Sequence, residues 1–204
     1  MNALKLVALS AVLALAGAAV TTPLVLWWVN AADAEPLPVL GDVPEFELTD
    51  ADGTPLSRED LDGSVWVASF IFTSCAGPCP HMTQHKAEIH EHWRGDDQVR
   101  FVSITVDPDR DTPEIMAGYA DLFEADRSIW HFLTGPQDAI HSLAVEGFRL
   151  GSLDDPVFHS TRFVLVDGEQ RIRGYYDGLD FDALNALARD IGRLRQELGQ
   201  AAAS

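Results

Sequence analysis

The chain has 204 residues and carries 14 Lys and Arg against 32 Asp and Glu, a formal net charge of -18. Lys5 and Asp33 cancel within the first 34 residues, so the whole excess falls on the remainder. A surface that acidic argues against nucleic acid and against docking onto anionic lipid, and it suits cations or a basic protein partner; adaptation to a salty habitat accounts for it more plainly.

In chain order, residues 6–29 are almost wholly apolar and Lys5 is the single early charge. That run is long enough for the ~20 residues a helix needs to span a bilayer, and longer than the about 7–15 residues of a signal-peptide core. Residues 1–34 therefore read as a transmembrane anchor or a signal segment. Length favours the anchor, although Ala32-Asp33-Ala34 offers a cleavage pattern and Pro23 interrupts the run. Lys5 ahead of the run favours a cytoplasmic N-terminus. No cysteine lies nearby, which excludes lipoprotein processing. Either reading exports the rest of the chain to an oxidising compartment, the bacterial periplasm, where close cysteines can pair. Residues 35–42, with Pro36 and Pro38, form a tether, and residues 43–200 are long enough for one domain with a full core.

Within that domain Phe46-Glu47-Leu48 alternates like a strand, Asp50 to Gly53 is a turn, and residues 55–61 lead back. Residues 65–72 are a continuous β-branched and aromatic run, predicted as a strand buried on both faces. Cys75 and Cys79 come next, and helix-prone sequence continues to Trp93, with Pro78 and Pro80 in the first turn, where a missing N–H costs nothing. Residues 99–106 are a second buried strand, ending at Asp107-Pro108-Asp109-Arg110-Asp111. Thr112 caps a helix over about 113–123 with Glu114 in its first turn. A short strand at 129–133 precedes a helix from Thr134-Gly135-Pro136 to about Val145. After a polar, turn-rich stretch at 148–157, strands at 161–166 and 172–176 flank an Asp167-Gly168 hairpin turn. Phe181, Leu184, Leu187, Ile191, Leu194 and Leu198 mark an amphipathic closing helix. Alternation and then an antiparallel pair predict an α/β fold, a mixed central sheet with helices on both faces. A cysteine pair at the first strand–helix junction makes it thioredoxin-like. Ligands in such sheets bind beyond the carboxyl ends of the strands, where Cys75, Cys79 and the Asp107 loop all fall.

The two thiols sit at a helix N-terminus, where the unpaired N–H groups favour thiolate. Thiolate is both the nucleophile of disulfide exchange and a soft ligand for Cu(I) or Zn. Four residues of helix rise about 6 Å, within the about 4.4–6.8 Å between Cα atoms that permits a disulfide; the pair can oxidise or clasp one metal ion. A passive disulfide closing so small a loop would stabilise little. Cu(I) completes a trigonal site with a third ligand, and His159, in a loop ahead of the 161–166 strand, is one candidate among seven histidines. His81 and His85 lie one turn apart and fit solvated helix positions better than a second metal site; Met82 fits the core. Asp107, Asp109 and Asp111 imitate the start of a calcium loop, but Thr112 and Gly118 stand where that loop needs Gly and Glu.

Three stretches together carry a resemblance: Phe72-Thr73-Ser74-Cys75-Ala76-Gly77-Pro78-Cys79-Pro80, then Val106-Asp107-Pro108-Asp109-Arg110-Asp111-Thr112-Pro113, then His159-Ser160 ahead of a strand. Over about residues 40–198 the chain resembles the Sco/SenC family. The resemblance implies a thioredoxin fold tethered outside the membrane and copper binding by the residues matching Cys75, Cys79 and His159. Asp107 is implied as a near-site residue. Phe158 stands where relatives often carry Asp. The implied role is a metallochaperone that delivers copper to, or prepares, the dinuclear copper centre of cytochrome c oxidase subunit II. A thiol–disulfide oxidoreductase that reduces the cysteines of that centre, using Cys75 and Cys79 alone, is the alternative. A thiol peroxidase is a weaker third reading.

Overall fold

In the computed structural model, residues 36–151 and 160–201 are described. The membrane segment expected at 1–34 lies outside them. Among the described residues no helix is long and apolar enough to cross a membrane.

Among the described residues, eight strands form one mixed sheet: β1 (Gly41–Asp42), β2 (Glu47–Asp50), β3 (Pro55–Ser57), β4 (Val65–Ile71), β5 (Val99–Thr105), β6 (Trp130–Thr134), β7 (Arg162–Val166) and β8 (Arg171–Asp177). Their spatial order is β1-β8-β7-β4-β5-β6-β2-β3. The central β4, β5 and β6 run parallel, Val65 opposite Val99 and Phe101 opposite Trp130, while β7 and β8 add antiparallel on the far side of β4. Parallel neighbours need a long crossover. It is supplied first by α1 (Pro78–Glu91) and then by α2 (Pro113–Leu122). A short α3 (Gln137–Ser142) runs into a wider turn at Leu143–Gly147, so the helix expected to about Val145 changes its winding near Ser142. The closing helix, α4, is Phe181–Ala201.

All seven residues of β4 are buried, and their alternation feeds two cores. Trp66, Ala68 and Phe70 pack with Val102, Ile104 and Val164 under Ile140, Leu143 and Phe148 from the α3 segment. The opposite face meets α1, α2 and α4. His90 of α1 packs edge-on to Phe101, Tyr119 of α2 lies against Phe132, and Tyr176 of β8 donates to Asp190 of α4 at 2.8 Å. Helices thus cover both faces of a mixed sheet, as the strand–helix alternation predicts.

Two long-range pairings were not legible in the sequence. The β2–β3 hairpin extends the sheet at β6, Thr49 opposite Thr134. Residues 38–42, expected as tether, dock on the other edge. Arg173 Nε donates to the Pro38 carbonyl at 3.2 Å, the Leu40 N–H donates to the Ile172 carbonyl at 2.8 Å, and Gly41 pairs with Ile172. The β7–β8 connection is also longer than the two-residue turn expected at Asp167-Gly168. It closes with the Gln170 N–H on the Asp167 carbonyl at 2.9 Å, and Gln170 takes a positive φ of 62°.

Candidate metal and thiol centre

β4 ends at Ile71, and its buried run delivers the chain to the carboxyl edge of the sheet. The chain then makes a tight turn, in which the Cys75 N–H donates to the Phe72 carbonyl at 3.2 Å. Gly77 is the residue before α1 and caps it with no side chain, leaving the first N–H groups of the helix for other acceptors. The N–H of Gly77 itself donates to Cys75 Sγ at 3.4 Å. Pro78 occupies the first helical turn, as its fixed φ favours.

Cys75 and Cys79 are both buried and both carry free thiols. Their environments drive them apart. Burial raises Cys75, but the Cys79 thiol and the N–H groups of Cys79 and Gly77, all directed at its sulfur, outweigh that and leave it below the ordinary thiol value. Cys79 sits deeper. Burial first, then its donation to the Cys75 sulfur, pushes it up to about 12. The helix N-terminus therefore favours thiolate at Cys75 alone. Below Cys79, Thr83 Oγ1 donates to the Cys79 carbonyl at 2.9 Å and lies 3.0 Å from the Tyr119 hydroxyl. That hydroxyl, itself buried, is raised to about 12 and is not a proton donor of ordinary acidity at neutral pH.

The loop after β5 stands beside this turn. The Val106 N–H donates to the Ile71 carbonyl at 2.8 Å. Asp107, expected near the site, pairs its carboxylate with Arg110 Nη1 at 2.8 Å, and its N–H donates to Thr105 Oγ1 at 3.0 Å. Asp111 is the buried acid of the loop: it accepts from the backbone and hydroxyl of Thr73 and from the hydroxyl of Thr105. The sequence names Asp111 only within the rejected calcium-loop pattern and the Asp107–Pro113 stretch, and gives it no role of its own; its position just ahead of the Thr112 cap is a further signal.

His159 lies outside the described residues. Among those described, no three His, Cys, Asp or Glu side chains converge to hold a metal ion. His81 is exposed on α1, His85 places Nδ1 2.8 Å from the Gly178 carbonyl, and Met82 is in the core. Lys86, one of only two lysines in the chain, also escapes sequence reasoning as a structural residue. It is fully buried; Nζ donates to the Val102 carbonyl at 2.7 Å and lies 3.0 Å from Ser69 Oγ and 3.3 Å from Ser103 Oγ, both hydroxyls able to give or take the hydrogen. Its spacing with Cys79, Met82, Thr83 and His90 on the buried stripe of α1 is the available clue.

A pair of soft donors at the first strand–helix junction of such a sheet directs attention to one family, and its sequence pattern, SCO1/SenC, matches residues 41–195. This chain belongs to the SCO1/SenC family. Solved structures agree. A SCO1/SenC family lipoprotein from Bacillus anthracis is 33% identical, with a TM-score of 0.71 over 79% of this chain and 99% of that one. BsSco, described as a member of the Sco family of cytochrome c oxidase assembly proteins with a disulfide switch, is 30% identical, with a TM-score of 0.69 over 78% and 96%. ScoI of Arabidopsis thaliana, solved with copper bound, is 25% identical, with a TM-score of 0.61 over 74% and 98%. Against these Sco structures the mixed sheet and its helices are the shared frame. The B. anthracis relative is a lipoprotein.

Proposed function

We propose that this Sco/SenC protein is an extracytoplasmic copper-binding metallochaperone that delivers copper to, or prepares, the dinuclear copper site of cytochrome c oxidase subunit II. The observation that carries the reading is the pair of free, buried thiols one helical turn apart at the start of α1. Two soft sulfur donors at one helix N-terminus fit Cu(I). A relative of the same family holds copper, and another is described with cytochrome c oxidase assembly. Cys75 and Cys79 are the proposed thiolate ligands and His159 the third, through an imidazole nitrogen; Asp107 is a near-site residue. Copper is cargo here, so no turnover is implied. Its binding must displace the proton of Cys79, whose thiol is raised to about 12. The apolar residues 6–29 are proposed to anchor the chain in the bacterial inner membrane, with the domain in the periplasm. X-ray absorption at the copper edge tests the ligand set. Two sulfurs and one nitrogen are expected in the wild type, and the nitrogen is expected to be lost in His159→Ala. An unchanged spectrum in that variant removes His159.

The second reading, a thiol–disulfide oxidoreductase, draws support from the split between the two thiols. The Cys75 thiolate attacks one sulfur of an acceptor disulfide, forming a mixed disulfide and releasing the other acceptor sulfur as a thiolate. Cys79 then gives up its proton and attacks Cys75 Sγ, releasing the second acceptor thiol. The acceptor gains two electrons, and the protein is left with a Cys75–Cys79 disulfide. Here His159 has no role.

A further inference from the structure

Asp111 is fully buried, and three donors converge on its carboxylate from two parts of the chain. The Thr73 N–H donates to Oδ2 at 3.0 Å, the Thr73 hydroxyl to Oδ1 at 2.5 Å, and the Thr105 hydroxyl to Oδ2 at 2.5 Å. The Asp111 N–H in turn donates to the Asp107 carbonyl at 2.9 Å. Burying a carboxylate without donors costs several kcal/mol, so the groups that satisfy it must be ordered along with it. Thr73 lies inside the turn that the Cys75 N–H closes on the Phe72 carbonyl. One acid thus fixes the thiol-bearing turn against the Asp107–Arg110 loop across 38 residues of chain.

We infer that Asp111 is a positioning residue for Cys75: through Thr73 it sets the pose of the Phe72–Cys75 turn, and so the reactivity of the thiol pair and its hold on copper. The inference rests on the function proposed above. A purely architectural Asp111 would affect stability and leave the chemistry of the folded protein alone. Three substitutions separate these roles. Asp111→Asn keeps the shape but turns an amide N–H toward donors. Thr73→Val removes the hydroxyl and keeps the backbone N–H, and Thr73→Ser keeps both.

The test uses the full chain in detergent and three readouts on the wild type and each variant: Cu(I) affinity by chelator competition, the thiol–disulfide equilibrium of Cys75 and Cys79 against glutathione, and thermal unfolding. Asp111→Asn and Thr73→Val are expected to weaken Cu(I) binding by about 10–100-fold, the range for groups that orient metal ligands, and to shift the glutathione equilibrium. Thr73→Ser is expected to restore wild-type values. The double variant is expected to fall short of the product of the single effects, because both remove one contact. If Asp111→Asn does not fold, Thr73→Val decides. Variants that melt earlier yet match the wild type in both affinity and equilibrium overturn the inference. A wild type that binds no copper overturns the proposed function, and the glutathione equilibrium still judges Asp111.

Discussion

Cys75 and Cys79 face different surroundings at the start of α1: burial, and then the neighbouring Cys75, pushes Cys79 up to about 12, whereas the Cys79 thiol and the N–H groups of Cys79 and Gly77 outweigh burial and hold Cys75 below its ordinary value. Thiolate is the reactive form, so the two cysteines have unequal roles from the outset.

Alkylation with iodoacetamide should therefore modify Cys75 first. Its rate should titrate below the ordinary thiol range, and Cys79 should stay unmodified until the pH is far higher. Peptide mapping after brief labelling at neutral pH checks this. Equal labelling of both would show that the Cys79–Cys75 contact does not form in solution.

Copper binding should release protons for the same reason. A ligating Cys79 must lose the proton that burial and the neighbouring sulfur hold on it. Affinity should rise by about tenfold per pH unit for each proton released. Cu(I) competition repeated between pH 6 and 8 gives the slope; a flat profile would mean that Cys79 is not a ligand.

Lys86 predicts a pH-dependent stability. Burial holds its amine well below the ordinary lysine value of 10.5, so the unfolded chain binds the proton more readily than the folded one. Stability is full above the unfolded value and is lost as pH falls toward the folded value, below which the loss levels off. Lys86→Met should flatten this slope. Each kcal/mol of linkage moves the melting temperature by about 2–4 °C in a chain of this size. Melting curves from pH 7 to 10 that rise equally for wild type and variant would show that Lys86 stays charged when folded.

Much of the fold was legible because the signals are local. The β-branched runs at 65–72 and 99–106 became Val65–Ile71 and Val99–Thr105, and Thr112 caps α2, its hydroxyl accepting from the Ile115 N–H at 3.4 Å. What stayed hidden depends on residues distant in sequence. The edge pairings of β1 and β2 depend on neighbours 80 or more positions away, and no periodicity encodes them. Asp111 looked like one acid in an acidic loop because its donors, Thr73 and Thr105, lie on two other segments. The thiol pair was visible from spacing, but which sulfur ionises depends on burial, which spacing does not carry.

The N-terminal segment should keep the protein with membranes. Residues 6–29 are long enough to span, and Ala32-Asp33-Ala34 is the competing cleavage site. Carbonate extraction with N-terminal sequencing distinguishes them. A mature chain starting at Glu35 in the soluble fraction would remove the anchor and leave export intact.

Competition of the reduced protein with a Cu(I) chelator of known affinity, run alongside Cys75→Ser and Cys79→Ser, tests the central claim most directly. The copper account predicts one tightly held Cu(I) per chain, lost when either sulfur is removed. A wild type that yields its copper as readily as the two serine variants would contradict it and leave the thiol–disulfide reading in its place.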